Sequence, residues 1–498
     1  MSMIQISNLT FCYDGSYDNI FENVSFQIDT DWRLGLTGRN GRGKTTLLML
    51  LMGKYRYRGS ISADVGFDYF PYPVPDPSGS AAELLEILCP DVPQWRFLRE
   101  LAPLEIAEEA LYRPFSTLSG GEQSKILLAM LFSRENRFLL IDEPTNHLDQ
   151  AGRELVSRYL HTKKGFLVVS HDRAFLDGCV NHILSINRGG IEIQKGNFSS
   201  WYENRRRQDA FELAQNAQLK KEIGRLKEAA RQSSVWADKV ESTKIGPNSA
   251  KATGTGDAMG GRAYIGEQSR RMQQRRKNLE RRQQRAIDEK SALLKNIESA
   301  APLKLRQETH FASRLALLRD VSIAYGDTPV CSGVTFTVEQ GDRIALCGPN
   351  GCGKTSILKL LCGGDIPHTG TIELAGRLKI SCVPQDASGL HGDLRDYAAH
   401  CAIDESLFKA ILRKLGFERV QFEKDIADFS AGQKKKVLLA RSLCKSAHLY
   451  VWDEPLNYID VLSRIQIEEL LLEFRPTIVF VEHDRVFCEK LATKTVRL

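Results

Sequence analysis

Two glycine-rich segments of the same design carry the most informative chemistry in this chain. Gly38-Arg39-Asn40-Gly41-Arg42-Gly43-Lys44-Thr45 and Gly348-Pro349-Asn350-Gly351-Cys352-Gly353-Lys354-Thr355 both fit GxxxxGK[ST]. Glycines let backbone N–H groups approach phosphate oxygens, and a following helix N-terminus favours the anion. At this spacing Lys44 and Lys354 reach the β- and γ-phosphates, and Thr45 and Thr355 ligate Mg²⁺. Gly38, Asn40, Gly41, Gly43 and Thr46 surround the first phosphate site. Gly348, Asn350, Gly351, Gly353 and Ser356 surround the second.

Each loop is followed by an apolar run that ends in two carboxylates: Phe138-Leu139-Leu140-Ile141-Asp142-Glu143 and Leu449-Tyr450-Val451-Trp452-Asp453-Glu454. A buried strand that stops at an acid places that acid beside the metal, and the next acid can orient and deprotonate water. Asp142 and Asp453 are therefore assigned to Mg²⁺, and Glu143 and Glu454 to the attacking water. The chemistry is nucleotide hydrolysis, twice in one chain.

The elements that must position these residues follow from the pattern. Strands are predicted over Trp32–Thr37 and Arg343–Cys347, and helices over Thr45–Leu51 and Thr355–Leu361, the strand–loop–helix context that the motif needs. Lys44 pairs with Lys354, Asp142 with Asp453 and His171 with His483 at a near-constant offset, so the chain is an internal duplication. Its 498 residues suit two ordinary α/β domains and a linker. The expected division is 1–203, 204–309 and 310–498.

Composition is that of a soluble globular protein. No apolar run approaches the roughly 18–20 residues that span a bilayer, and the N-terminus alternates like a strand instead of showing a signal-peptide pattern. The 11 cysteines lack CxxC or zinc-like spacing, which predicts free thiols in a reducing cytoplasm. Charge is uneven. From Glu203 to Glu308 there are 24 Lys and Arg against 14 Asp and Glu, while the whole chain is only +6. The middle segment supplies all the excess positive charge and so calls for an anionic partner.

Leu118-Ser119-Gly120-Gly121-Glu122 and Phe429-Ser430-Ala431-Gly432-Gln433 precede the carboxylate strands, and Ser170-His171-Asp172 and Glu482-His483-Asp484 follow them. This order resembles the ATP-binding-cassette (ABC) ATPases, over both halves. The resemblance implies a head-to-tail pair of cassettes within one monomer, each ATP lying between one phosphate loop and the other cassette's signature. Ser119, Gly120 and Gly121 would then complete the second site, and Ser430 and Gly432 the first. His171 and His483 would meet the γ-phosphate and water, and Tyr13 and Tyr325 would stack on adenine. Gln385 matches the family's glutamine loop, which senses metal and water. Tyr72, in Phe70-Pro71-Tyr72-Pro73, stands where the first cassette should have it, which puts that site's turnover in question. Ala431 in place of glycine is tolerable if its φ is negative.

The middle segment reads as helix, tip, helix. Leu219, Ile223, Leu226 and Ala230 form a helical stripe in the first arm. Met272, Leu279, Ala286, Leu293 and Ile297 recur at near-heptad spacing in the second, so an antiparallel hairpin is expected, with arms of about 45 Å. The tip, about 236–267, is polar and glycine-rich and is expected to order on a partner. Arg270, Arg271, Arg275, Arg276, Lys277, Arg281, Arg282 and Arg285 suit phosphate contact.

Tandem cassettes, no membrane domain and a basic hairpin resemble the ABC-F family, and within it the Lsa-type antibiotic-resistance proteins. Arg113-Pro114-Phe115-Ser116-Thr117-Leu118, Gly196-Asn197-Phe198-Ser199 and Trp452-Asp453-Glu454-Pro455-Leu456-Asn457 carry that likeness. It implies a ribosome partner entered at the tRNA exit site, with residues 204–309 reaching large-subunit rRNA and peptidyl-tRNA. It also implies displacement of lincosamides, pleuromutilins and streptogramin A. A housekeeping ABC-F translation factor and a transporter ATPase subunit are the rival readings. The first cassette lacks the inserted arm of the housekeeping members, and the basic hairpin has no role in a transporter.

Overall fold

The computed structural model describes residues 2–13, 19–146, 148–187, 190–244, 281, 282, 285, 303–305, 307–326, 328–349 and 351–498. Its contacts form two units, Met1–Trp201 with Ala300–Leu498, and Tyr202–Ser299.

In the first half of the large unit the strands are β1 (Met3–Phe11), β2 (Phe21–Asp29), β3 (Arg33–Thr37), β4 (Arg58–Ser62), β5 (Gly66–Phe70), β6 (Arg137–Asp142), β7 (Phe166–Val169), β8 (His182–Asn187) and β9 (Gly190–Lys195). The helices are α1 (Lys44–Leu51), α2 (Ala81–Leu88), α3 (Gln94–Leu101), α4 (Gly120–Ser133), α5 (Gln150–His161) and α6 (Arg173–Cys179). One sheet has the order β5-β6-β7-β3-β8-β9, parallel except for β9, and a second, antiparallel sheet has the order β2-β1-β4. Parallel strands are covered on both faces, which is why Phe138 to Ile141 are uniformly apolar and buried. Leu34, Leu36, Leu47, Leu48, Leu140 and Val169 join the antiparallel sheet to α1 in one core.

The second half repeats the design. Its strands are β10 (Arg314–Tyr325), β11 (Thr328–Glu339), β12 (Arg343–Cys347), β13 (His368–Leu374), β14 (Ile380–Val383), β15 (Leu449–Asp453), β16 (Ile478–Val481) and β17 (Lys494–Arg497). With α7 kept for the helix between the halves, its helices are α8 (Lys354–Leu361), α9 (Leu394–His400), α10 (Glu405–Lys414), α11 (Ala431–Cys444), α12 (Val461–Phe474) and α13 (Arg485–Leu491). The parallel sheet runs β14-β15-β16-β12-β17, and the antiparallel one β11-β10-β13. Ile357, Leu361, Val451 and Val479 fill one side of the sheet, and Trp452, Phe480, Phe408 and Leu439 the other. In both halves the phosphate loop and the carboxylate pair leave the carboxyl ends of parallel strands that one further strand separates, at the edge where an open α/β sheet binds its ligand.

The unit Tyr202–Ser299 carries most of α7 (Phe198–Lys244), one unbroken helix of 47 residues. It overruns the expected first arm at both ends. Trp236–Lys244, assigned to the tip, is helical, because no glycine or proline interrupts the chain between Gly224 and Lys244. At ~1.5 Å per residue it is about 70 Å long, not 45 Å. Ile223 is buried, and Leu219 and Leu226 are half-buried, as the stripe requires. Arg281, Arg282 and Arg285 are helical and exposed. Asn350, residues 245–267, the five apolar heptad positions of the second arm, and Arg270, Arg271, Arg275, Arg276 and Lys277 lie outside the described residues.

Candidate functional site

The two phosphate loops are built alike. Gly43 and Gly353 are the residues from which α1 and α8 start, with φ of 85° and 89°. A Cβ on Gly43 would lie 2.5 Å from Ile20 Cγ2, so both the backbone angle and the space demand glycine. Gly38, Gly41, Gly348 and Gly351 also have positive φ. Lys44 Nζ donates to the carbonyls of Gly38 (2.9 Å) and Arg39 and to Asn40 Oδ1 (3.2 Å). Lys354 Nζ donates to Gly348 and Pro349 carbonyls, both at 2.8 Å. Each ammonium is thus held across its own loop, where phosphate oxygens would replace the carbonyls. Tyr13 Oη is 2.8 Å from Thr46 Oγ1 and Tyr325 Oη is 3.0 Å from Ser356 Oγ, so each exposed tyrosine ring is tethered to its phosphate-loop helix.

The paired acids share a second device. Glu143 (φ 51°) and Glu454 (φ 44°) sit in the left-handed region although neither is glycine. Such a conformation costs on the order of 1 kcal/mol and persists where surroundings hold it. Here the Glu143 N–H donates to Val169 O (2.9 Å) and the Glu454 N–H to Val481 O (3.0 Å). The turn brings each acid to its histidine: His171 Nε2 lies 3.2 Å from Glu143 Oε1, and His483 Nε2 lies 3.3 Å from Glu454 Oε1.

Around these shared parts the two sites diverge. In the second, Gln385 hydrogen-bonds the Glu454 carboxylate and Thr355 hydrogen-bonds Asp453. Burial alone would raise Glu454, but the His483 and Gln385 hydrogen bonds and the Lys435 charge hold it below its ordinary range. Lys435 is itself buried and donates to the carbonyls of Pro384 (2.8 Å), Gln385 (3.1 Å) and Asp453 (3.1 Å), bracing the glutamine loop against β15. Desolvation lowers its ammonium, with Glu482, Asp453 and Glu454 opposing. Asp453 Oδ1 is buried without a hydrogen-bond partner. An orphaned carboxylate oxygen beside a threonine hydroxyl fits a hard divalent cation with oxygen ligands.

In the first site Tyr72 does not approach Asp142. Its hydroxyl accepts from Arg134 Nη1 at 2.8 Å, and the same nitrogen lies 2.8 Å from both oxygens of buried Asp68. A different tyrosine is present instead: Tyr69 Oη donates to Asp142 Oδ2 at 3.1 Å, beside Thr45 Oγ1 at 3.0 Å. Burial, then the Asp142 charge, pushes the Tyr69 phenol up, so it remains a donor. The Glu143 side chain is partly buried, 22% exposed. Burial and the neighbouring Asp142 push its carboxyl up to about 8, against the pull of Lys44 and of Arg464 from the other half. Desolvation, reinforced by Lys44 and Arg464, carries His171 well below its usual value.

The halves face each other head to tail. Gly432 is buried against the first phosphate loop: a Cβ there would meet Tyr458 O at 2.3 Å and Asn40 Nδ2 at 2.8 Å. Asn40 Nδ2 donates to Tyr458 O at 2.8 Å, and Arg42 pairs with Glu418 at 3.2 Å. Ser430 caps α11 beside this contact through a box with Gln433, and Ala431, its first helical residue, has no positive φ, so the missing glycine is tolerated. Ser119 caps α4 through an equivalent box with Glu122, worth about 1 kcal/mol. Gly120 and Gly121 open that helix less buried than Gly432. The second site is a cavity of about 980 Å³ that Lys354, Thr355, Tyr325, Gln385, Glu454 and His483 line together with Asn146, Leu148 and Arg153 of the first half.

Several of these participants escape sequence reasoning. Lys435 sits in the run Lys434-Lys435-Lys436, where helical burial next to Ser430 is a usable signal. Tyr69 and Arg464 carry no motif, and only the fold brings them in.

Residues 21–146 and 331–457, together just over half the chain, match the ABC transporter family model. The chain belongs to that family and is an ATP-binding ATP hydrolase. It is 26% identical over 98% of its length to the ribosome protection protein VmlR of Bacillus subtilis, 85% of which is covered. It is 25% identical over 95% of its length to the energy-dependent translational throttle protein EttA of Escherichia coli, 88% of which is covered. Its fold matches the archaeal ribosome recycling factor aABCE1 with a TM-score of 0.61 and 19% identity, over 98% of this chain and 87% of that one. Among the described residues no helix is long and apolar enough to cross a membrane.

Proposed function

We propose that this chain is an ABC-F ATPase that binds the ribosome near the tRNA exit site. ATP-dependent closure there displaces antibiotics of the peptidyl-transferase centre: lincosamides, pleuromutilins and streptogramin A. The observation that carries this reading is the joining of two paired cassettes by a segment with a 47-residue helix and a strong basic excess. A transporter ATPase has no use for such a segment. The likeness to VmlR over nearly the whole chain supports the protective role, and the likeness to EttA supports the alternative, a housekeeping factor that relieves stalled translation.

Within the sites, Lys44 and Lys354 bind the phosphates, and Tyr13 and Tyr325 offer ring faces to adenine. Thr45 with Asp142, and Thr355 with Asp453 and Gln385, would hold Mg²⁺. When bound, the cation neutralises phosphate charge and orients the phosphoryl group. Glu454, held ionised by His483, Gln385 and Lys435, takes the proton from water. Ser430 and Gly432 complete the first site, and Ser119, Gly120 and Gly121 the second. Closure is a population shift, in which the ribosome-binding form must favour ATP.

Expression in a drug-sensitive Gram-positive host tests the proposal. Resistance to all three drug classes is expected, and deletion of residues 249–256 should abolish it while leaving ATPase nearly intact. Glu143→Gln with Glu454→Gln should trap the protein on ribosomes with ATP. Unchanged susceptibility together with ribosome trapping would favour the housekeeping reading. Sedimentation with membranes instead of ribosomes would defeat both.

A further inference from the structure

Two of the 11 cysteines stand together at the edge of the second ATP site. Cys362 follows α8 directly, is exposed, and donates its N–H to Leu358 O. Cys382 lies in β14, three residues before Gln385, and is half-buried. Their Sγ atoms are 2.7 Å apart, so the two sulfurs already face each other within reach of a bond. The surroundings of Cys382 are cationic. Arg441 Nη2 donates to its carbonyl at 2.7 Å, and Lys445 lies close by. The Cys362 hydrogen bond, aided by these charges, draws the Cys382 thiol below its ordinary range, and the same bond raises Cys362. A thiolate with a resolving thiol beside it is the arrangement of an oxidisable pair.

We propose that Cys362 and Cys382 form a reversible disulfide, oxidised by a peroxide, that ties the phosphate-loop helix to the strand leading into the glutamine loop. The Cys382 thiolate attacks a peroxide oxygen, the O–O bond breaks, and an alcohol or water leaves, giving a sulfenic acid. Cys362 then attacks that sulfur, gives up its proton and releases water. Overall, two thiols and one peroxide yield one disulfide, one alcohol or water, and one water. The link spans α8, which starts at Lys354, and β14, which ends two residues before Gln385. It therefore restrains the glutamine loop against the phosphate loop. The first cassette has Met52 and Tyr69 at the corresponding places and cannot form it. The device acts on the ATPase and does not depend on the ribosomal role.

The test uses full-length Glu143→Gln protein, in which turnover reports the second site. Hydrogen peroxide should lower its ATPase by at least about threefold, since loop motion gates turnover, and dithiothreitol should restore it. Peptide mapping should find Cys362 joined to Cys382. Cys362→Ser and Cys382→Ser should each keep basal activity and lose the response. Cys352→Ser, normalised to its own basal rate, should keep the response, although Cys352 lies in the phosphate loop. Inhibition that survives both serine variants, or vanishes only with Cys352→Ser, would overturn the proposal. So would a mapped 362–382 link with unaltered turnover.

Discussion

The two ATP sites use nearly the same residues, yet different neighbours surround their paired acids: Thr45 and Tyr69 hold Asp142, whereas Thr355, Gln385 and Lys435 surround Asp453 and Glu454. At the first, Gly432 and Tyr458 of the opposite half press on Asn40, and Arg464 reaches the electrostatic surroundings of Glu143. At the second, Lys354 and Glu454 line a cavity of about 980 Å³ together with Asn146 and Arg153 of the first half. The acids respond accordingly. Burial and the adjacent Asp142 charge push Glu143 up to about 8, whereas hydrogen bonds from His483 and Gln385 hold Glu454 down. Burial is the largest influence on both side chains and raises both, so their different proton affinities come from the neighbours: the Asp142 charge at Glu143, and the His483 and Gln385 hydrogen bonds and the Lys435 charge at Glu454. Lys435 reinforces the difference, since the first cassette has Ser124 there, whose hydroxyl donates to Gly120 O within its own helix.

The largest effect should come from removing one base at a time. Glu454→Gln is expected to cut steady-state ATPase by roughly 10²-fold or more, the usual contribution of a positioned base, while Glu143→Gln costs less than about threefold. The pH profile sharpens this. With Glu454→Gln, the residual rate should rise as pH passes through about 8, where Glu143 ionises. With Glu143→Gln the rate should stay level across neutrality, because Glu454 is already ionised. Equal losses, or matching profiles, would erase the comparison. The linkage has a matching sign: folded Glu143 has a raised value, so its protonated form is favoured, and that contribution declines as pH climbs from the ordinary carboxylate range through about 8.

A second contrast lies at the joint between the halves. Arg173 is buried, with Nη2 2.5 Å from Glu468 and 3.6 Å from Asp484. Its counterpart Arg485 meets Glu154 at 3.3 Å in the open. Breaking the buried pair leaves uncompensated charge, so Arg173→Ala should cost about 3 kcal/mol, against under about 1 kcal/mol for Arg485→Ala. Denaturant unfolding of the two variants measures the difference, and similar midpoints would show that both edges are equally loose.

The smallest effect tests Tyr69. Loss of one hydrogen bond to a carboxylate is worth about 1 kcal/mol, so Tyr69→Phe should weaken Mg²⁺-dependent nucleotide binding at the first site by roughly fivefold. Tyr72→Gln should change it little, because Arg134 and Asp68 hold that position away from Asp142. Titration of a fluorescent ATP analogue in the Glu143→Gln, Glu454→Gln background reads both. A larger effect from Tyr72→Gln would return the missing glutamine to the centre of the argument.

Motif spacing alone was enough to pick out the phosphate loops, the carboxylate strands and the duplication, and the resemblance to ABC ATPases added the histidines. Those residues are close in sequence to the strand ends that carry them, so local pattern determines their placement. It also located the basic middle segment, though not the end of its first helix, since Trp236–Lys244 contains no breaker yet looks polar enough for a loop. Only tertiary structure decided which tyrosine faces Asp142. Tyr69 and Tyr72 are three residues apart, and a salt bridge to Asp68 from the distant Arg134 draws one of them away. The different surroundings of Glu143 and Glu454 were likewise invisible in the chain. They depend on how distant elements and the two halves meet, since Arg464 of the other half acts on Glu143 while Gln385 and Lys435 act on Glu454, and such neighbours are set by the fold and not by the flanking residues.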